Sequence, residues 1–412
     1  MNNFEEFNTF LVQNVGSKTR AIAPTITSSV AFGYENAEEA EGIFAGSVQN
    51  PLYARMGNPT NTKLESIMAK LDGGSSAIAT SSGMGAMSMV LTAFLESGDT
   101  VLCIGGFFGG TYTLVNETLA RFGVKGEFFD VDEMEAIEAK LASGVKALVV
   151  ESVGNPNLKL PSLQQIITLC NKYNTLVIAD NTATPLIIQA LKMGADIVIY
   201  STTKIISGHS AALGGIAVFR EAKEEDKLHN DKYRAIHPIL EKAKKKAFFA
   251  ICKKRAMRDF GMSANAFGSF ITMLGLETLA LRTQRVNENV QLLAKLLNEG
   301  LTDIEVRHPS LENHEHHDRF KKEFKDGCGS LLTLDCGSKE KAFALLNNAK
   351  LLTQTANIGD NRTLALHMRS TIYRDFTPEQ CKFLGITDGL IRVSVGLESP
   401  HTIAEDFIQA SR

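Results

Sequence analysis

The sequence predicts an α/β fold: a mostly parallel sheet with helices on both faces, carried by a chain of two domains and an arm. Three observations predict it. Thr175-Leu-Val-Ile-Ala-Asp180 and Asp196-Ile-Val-Ile-Tyr200 are too short for helices and apolar almost throughout, as strands covered on both faces are. Between them, Pro185 to Gly194 reads as a crossover helix, and a strand-helix-strand unit of this length makes its strands parallel. A length of 412 residues exceeds what one typical core supports.

The parallel arrangement puts Asp180 and Lys204 at one carboxyl-terminal sheet edge, where open α/β sheets bind ligands. Burying a lysine there is unfavourable unless its amine is paired or joined covalently to something; a lysine that merely reaches water is the plainer alternative. An amine and a carboxylate on one edge suit pyridoxal phosphate, the amine linking to the aldehyde and the carboxylate keeping the pyridine nitrogen protonated. Asp180-Asn-Thr182, about two dozen residues before Ser201-Thr-Thr-Lys204 and Gly208-His209, resembles the hallmark of the Cys/Met-metabolism family of pyridoxal-phosphate enzymes. The likeness runs from about Thr19 to about Glu398. It implies the aspartate-aminotransferase-like fold (fold type I), with a seven-stranded sheet and a smaller α+β C-terminal domain. Implied divisions are an arm over 1–60, a cofactor domain over 61–260, and a C-terminal domain with linker helix over 261–412.

Taken in order, residues 1 to about 60 lack a self-contained periodic pattern and carry Pro24, Gly33, Gly46, Pro51, Gly57 and Pro59, as an arm would. Within it, Asn50-Pro-Leu-Tyr-Ala-Arg-Met-Gly-Asn-Pro-Thr60 resembles the family segment that enters a neighbouring subunit's site. By that resemblance Tyr53 and Arg55 clamp the cofactor phosphate, Arg55 with two-pronged contact. Thr62 to Leu71 has helical spacing. Ser75 to Met89 then reads strand, glycine turn and helix, and first-turn amides make an anion site; Gly83 and Met84 resemble the family's phosphate cradle. Gly83-x-Gly85-x-x-Ser88 also approaches a dinucleotide fingerprint, but its third position is wrong and Asp99 precedes the next strand instead of ending it. A nicotinamide-binding dehydrogenase is disfavoured on that ground.

A strand at Thr100 to Ile104 leads into Gly105-Gly-Phe-Phe-Gly-Gly-Thr-Tyr112, whose glycines permit close approach of backbone to a ligand. Phe108 falls where the family stacks an aromatic ring on the cofactor, commonly a tyrosine whose hydroxyl is absent here. Lys146 to Asn157 gives another buried strand; Asn155 resembles the residue that contacts the cofactor's phenolic oxygen, and Ser201 and Thr203 resemble further phosphate ligands. The basic stretch Lys242 to Arg258 lacks aromatic interleaving, so a solvated or subunit-facing surface is expected over a nucleic-acid site. A long helix from Gly268 to about Leu301 resembles the family's linker. His314-Glu-His-His317 sits between charged residues in an expected loop without the scaffold that metal ligation needs, and no metal is expected. Asp388 to Glu398 resembles the strand whose arginine holds the substrate carboxylate, here Arg392, and Thr363 lies where a supporting hydroxyl is expected. Arg369 could reach the substrate's ester or face solvent.

Composition excludes broader classes. A net charge of -3 with 22% charged residues provides no field for nucleic acid or a membrane surface. No apolar run approaches a membrane span, and Met1-Asn-Asn-Phe-Glu-Glu-Phe7 is no signal peptide. The six cysteines lack metal or disulfide spacing, as reduced thiols of a cytoplasmic protein would.

The parts imply exchange at the γ-carbon of an amino acid. Phe108, Gly110 where methionine γ-lyases resemble one another in having cysteine, and Arg258-Asp-Phe-Gly-Met-Ser263 with Glu151-Ser-Val-Gly-Asn-Pro156 resemble the O-acetylhomoserine sulfhydrylase branch. The expected substrates are O-acetylhomoserine and sulfide or a small thiol, with a sulfur-carrier protein as another donor; cystathionine γ-synthase and γ-lyase activities are the alternatives. The resemblance further implies a homotetramer of dimers with shared sites.

Overall fold

The computed structural model describes residues 3–16, 21–48, 50–106, 108–228 and 230–412. Met1 and Asn2 of the N-terminal segment, Thr19 at the expected start of the resemblance, and Phe107 of the glycine-rich loop lie outside them. Seven strands form the larger sheet: β1 (Ser76–Thr80), β2 (Thr100–Ile104), β3 (Lys125–Phe129), β4 (Ala147–Glu151), β5 (Leu176–Asp180), β6 (Ile197–Tyr200) and β7 (Gly215–Phe219). Their order is β1-β7-β6-β5-β4-β2-β3. Only β7 runs against its neighbours, so the other six end at one edge.

Alternate residues of each central strand enter opposite cores. Leu148, Val150, Val177 and Val198 join one apolar cluster, while Val149, Leu176, Ile178 and Ile197 join the other. A fully buried Val, Leu or Ile contributes about 1.5–3 kcal/mol relative to exposure. This two-sided burial explains why these strands read as unbroken apolar runs. A second sheet holds β8 (Glu305–Arg307), β9 (Leu331–Asp335), β10 (Thr353–Gln354), β11 (Leu364–His367) and β12 (Leu390–Ser394), in the order β10-β11-β12-β9-β8.

The expected arm contains two helices, α1 (Asn3–Val15) and α2 (Ala37–Ala45). Phe4, Leu11 and Val15 of α1 are buried in the same core as Leu64 and Ile67, so this part is docked on the main body. Helix α3 (Pro59–Asp72) starts where Asn58 accepts the Thr60 N–H and stops at Gly73, whose φ of 72° suits glycine. Helix α4 (Gly83–Phe94) follows β1, with the Ser82 side chain accepting the Gly85 N–H as its cap.

Two expectations are corrected. Residues 185–194 form successive turns instead of a crossover helix, although β5 and β6 are parallel as expected. Leu186 has a φ of 71°, and the Asn181 amide donates to the Ile188 carbonyl, occupying an acceptor that a helix would use. The long linker helix is two helices, Ala266–Leu276 and Leu279–Gly300. At the break, the Gly275 carbonyl accepts from Arg282 Nη2 at 2.7 Å, and Gly275 packs so closely that a Cβ would lie 2.4 Å from the Ser207 carbonyl oxygen.

Candidate active site

The ends of β4, β5 and β6, the start of α4 and the loop before β11 enclose a cavity of about 250 Å³. Lys204, Asp180, Arg392 and Asn155 line it. So do Gly83, Met84, Phe108, Ser201 and Thr203. Strand register explains much of the convergence, because Glu151 is paired with Asp180 across β4 and β5, and Asp180 with Ile199 across β5 and β6.

Lys204 follows β6 in a turn that the chain holds from several sides. Its amide donates to the Ser201 carbonyl at 3.2 Å, and the Gly208 N–H returns to the Lys204 carbonyl at 2.9 Å. Buried Arg282 donates to the carbonyls of Ile205 and Ile206 at 2.6 and 3.1 Å, clamping the next two residues. Burial, then the nearby Arg392 guanidinium, push the Lys204 amine down to about 8. A neutral amine is therefore accessible near neutral pH.

Burial raises the Asp180 carboxyl above its ordinary range, against hydrogen bonds from Thr182 that lower it. A cation placed beside Asp180 would relieve that unfavourable burial, as a protonated pyridine nitrogen does. Arg392 is 3% exposed and pushed down to about 10 by burial. Its guanidinium donates to Asn155 Oδ1 at 3.1 Å and to the Ala356 carbonyl at 3.0 Å, and among the described residues no carboxylate pairs with it. A buried guanidinium in this state can accept an incoming carboxylate as its partner.

One end of the cavity is built by the start of α4 and can hold an anion. The first-turn amides of Gly83 and Met84 reach the cavity at the positive end of a twelve-residue helix. A Cβ at Gly83 would lie 2.6 Å from Ser201 Cβ, so glycine lets the helix start come against Ser201. The Thr203 hydroxyl accepts the Gly214 N–H at 3.0 Å and donates to its carbonyl at 3.1 Å, which fixes the wall beside this end. Amides and a hydroxyl for phosphate, an amine for an aldehyde and a carboxylate for a ring nitrogen fit pyridoxal phosphate.

Three predicted residues lie elsewhere. Tyr53 is 43% exposed at the surface, and Arg55 donates to the Arg258 carbonyl; neither lines this chain's cavity. Thr363 is buried with its hydroxyl donating to Glu398 at 2.9 Å and accepting the Gly396 N–H at 3.1 Å, away from the cavity lining. The reason is local. Gly359 lies so close to Ile205 that a Cβ would be 2.5 Å from the Ile205 nitrogen, and this brings residues 356–358 to the site instead. There Asn357 Oδ1 accepts from Lys204 Nζ at 2.7 Å. Arg369 does not line the cavity, and its guanidinium donates to the carbonyls of Tyr373 and Arg374.

Asn357 and Glu151 escaped the sequence reading. Glu151 lines the cavity and accepts the Phe108 N–H at 2.8 Å; burial, and then the charge of Asp180, raise it well above the carboxylate range. Its signal was an acid ending an apolar strand, just as Asp180 does.

The other singled-out groups have structural partners. His316 donates or accepts at both ring nitrogens, with Asp132 at 2.9 Å and the Leu160 N–H at 2.9 Å. Asp132, Glu315 and His316 come within 4.8 Å of one another, but Arg319 pairs with Asp132 and Lys159 with Glu315. In the basic stretch, Lys242 donates to the Ala45 carbonyl and Lys253 to that of Met56, holding residues of the arm. Cys328 and Cys336 flank β9 and are buried.

This fold and cavity define a pyridoxal-phosphate enzyme of fold type I. The chain belongs to the Cys/Met metabolism PLP-dependent enzymes, whose family model matches residues 8–412. It is 32% identical to homocysteine synthase of Schizosaccharomyces pombe, over 99% of this chain and 97% of that one. It is 33% identical to L-methionine gamma-lyase of Fusobacterium nucleatum subsp. polymorphum, over 94% and 93% of the two chains. A solved structure from Campylobacter jejuni, provisionally described as an O-acetylhomoserine (thiol)-lyase with pyridoxyl-lysine monophosphate, superposes with a TM-score of 0.92 at 31% identity, covering 98% of this chain and 99% of that one. No helix among the described residues is long and apolar enough to cross a membrane.

Proposed function

We propose that this enzyme is an O-acetylhomoserine sulfhydrylase. It breaks the C–O bond at Cγ of O-acetylhomoserine and forms a C–S bond at the same carbon, converting ester and sulfide to homocysteine and acetate in methionine biosynthesis. When bound, pyridoxal phosphate supplies an electron sink conjugated to the substrate's Cα. Lys204 takes and returns protons at the substrate carbons, helped by an amine lowered to about 8. Arg392 holds the substrate carboxylate, and Asp180 keeps the ring nitrogen protonated. Gly83, Met84 and Ser201 receive the phosphate, with Thr203 fixing the adjacent wall and Asn155 meeting the phenolic oxygen.

The observation that carries the exchange reading is Phe108 at the cavity wall. Its ring offers no hydroxyl to serve as an acid or base near a leaving group. Gly110 supports the same choice, because a Cβ there would lie 2.7 Å from Phe108 Cε1, so a cysteine would require this ring to move. The names of the relatives span synthases and a lyase, so the test must separate exchange from elimination. Holoenzyme is offered O-acetylhomoserine, O-succinylhomoserine and methionine, each with and without sulfide. Homocysteine from the acetyl ester at a kcat/KM at least about tenfold above the succinyl ester supports the assignment. Preference for the succinyl ester, or oxobutyrate from methionine as the main activity, overturns it.

The site also requires a neighbour in this reading. Tyr53 and Arg55 are displayed at the surface, and Leu213, at the cavity wall, is 70% exposed with Phe260 and Phe267 also exposed. A second copy covering these side chains would receive Tyr53 and Arg55 at its phosphate end, with dimers pairing into a tetramer. Tyr53 then acts at the cofactor of the neighbouring subunit, in a cytoplasmic enzyme.

A further inference from the structure

A hydrogen-bonded chain leads away from Lys204 in a single direction of donation. Lys204 Nζ donates to Asn357 Oδ1 at 2.7 Å; Asn357 Nδ2 donates to Ser210 Oγ at 2.8 Å; and Ser210 Oγ donates to Asp360 Oδ2 at 2.5 Å. Asp360 is 3% exposed and anchored by the Arg362 side chain at 2.8 Å and its amide at 2.9 Å. Ser210 holds a left-handed backbone with a φ of 51°, which few serines adopt. An anion at one end and a donor series leading to it fix the amide of Asn357 with its oxygen toward Lys204.

We propose that Asn357 is a positioning residue for Lys204, holding one N–H of the free ε-amine so that its lone pair faces the substrate carbons. The inference rests on the reading of Lys204 as the proton carrier. An amide oxygen suits this task because it accepts a hydrogen bond without carrying charge. A carboxylate in its place would favour the ammonium form, and an aliphatic side chain would leave the amine unrestrained. The other charged or titratable groups at the amine are Arg392 from β12, Asp180 from β5 and Glu151 from β4, with Asp360 acting through Ser210. Arg392 also donates to the Asn357 carbonyl at 3.3 Å, so one loop residue meets both the amine and the carboxylate clamp.

The test uses two readouts on Asn357→Asp, Asn357→Ala and Ser210→Ala. In cofactor-free protein, the pH midpoint for acylation of Lys204 is measured by mass spectrometry of its peptide. Asn357→Asp is expected to raise the midpoint by about one pH unit or more, while Asn357→Ala lowers it. In the holoenzyme, Asn357→Ala is expected to lower kcat about tenfold with KM nearly unchanged, and Ser210→Ala to lower it less. A midpoint in Asn357→Asp within about 0.2 pH unit of the parent, in protein whose circular dichroism is unchanged, overturns the proposal. Ser210→Ala supplies the same comparison if an Asn357 variant fails to fold. Because the labelling needs no substrate, failure of the sulfhydrylase assignment would leave its outcome intact and be recognised separately.

Discussion

Replacing Arg392 by lysine keeps one positive charge in the cavity and removes the planar fork. In the parent, Nη1 lies 3.1 Å from Asn155 Oδ1 and Nη2 lies 3.0 Å from the Ala356 carbonyl, so the guanidinium is held flat before substrate arrives. A lysine can offer the substrate carboxylate one charge-assisted hydrogen bond where the fork offers two. Losing one such bond costs about 1.5–3 kcal/mol, or about 10- to 150-fold in kcat/KM. The carboxylate is held alike in ground and transition states, so most of the loss belongs in KM. The assay is homocysteine formation with O-acetylhomoserine varied at saturating sulfide, together with the visible absorbance of the bound cofactor to show that loading is normal. A lysine variant with the parental KM, or one whose kcat falls at constant KM, would refute Arg392 as the carboxylate clamp.

Three other outcomes follow from the same geometry. Lys204→Ala should lose turnover by about a thousandfold or more with its circular dichroism unchanged, and a fully active variant would remove the lysine from the chemistry. Arg55→Ala should bind pyridoxal phosphate about tenfold or more weakly, and mixing it with Lys204→Ala should restore activity, because one site of each hybrid dimer has both residues intact. No recovery in the mixture would mean that Arg55 does not serve a neighbour. Since burial and Arg392 lower the Lys204 amine to about 8, its neutral fraction passes one half near that pH and levels off about one pH unit above it. The rate of cofactor uptake by cofactor-free protein should follow that curve; a rate that continues to climb to the ordinary lysine range would show an unperturbed amine.

The sheet was legible because its central strands are covered on both faces, so β4, β5 and β6 announce themselves as apolar runs ended by polar residues. Placing Asp180 and Lys204 together needed only that β5 and β6 be parallel. It survived the wrong expectation for residues 185–194, where Leu186 takes a positive φ and Asn181 captures the Ile188 carbonyl. The break between the two linker helices was hidden for a similar reason, since Gly275 and Arg282 meet the Lys204 turn only in three dimensions. Residues close to the strand ends that line the cavity were therefore readable. The loop before β11 was less so: Thr363 and Asn357 are six positions apart in one polar stretch, and the contact of Gly359 with Ile205 decides which of them faces Lys204. Glu151 was visible as an acid at a strand end, but its coupling to Asp180 emerges from the strand register.

Exchange at Cγ and elimination divide O-acetylhomoserine between different products, and that partition distinguishes them. Holoenzyme is supplied with the ester at saturation while sulfide is varied, and homocysteine and oxobutyrate are quantified from the same samples. For a sulfhydrylase, homocysteine is expected in proportion to acetate released once sulfide saturates, with oxobutyrate a minor product even when sulfide is withheld. Oxobutyrate and ammonia formed at an undiminished rate in the presence of saturating sulfide would contradict it and identify the enzyme as a γ-lyase.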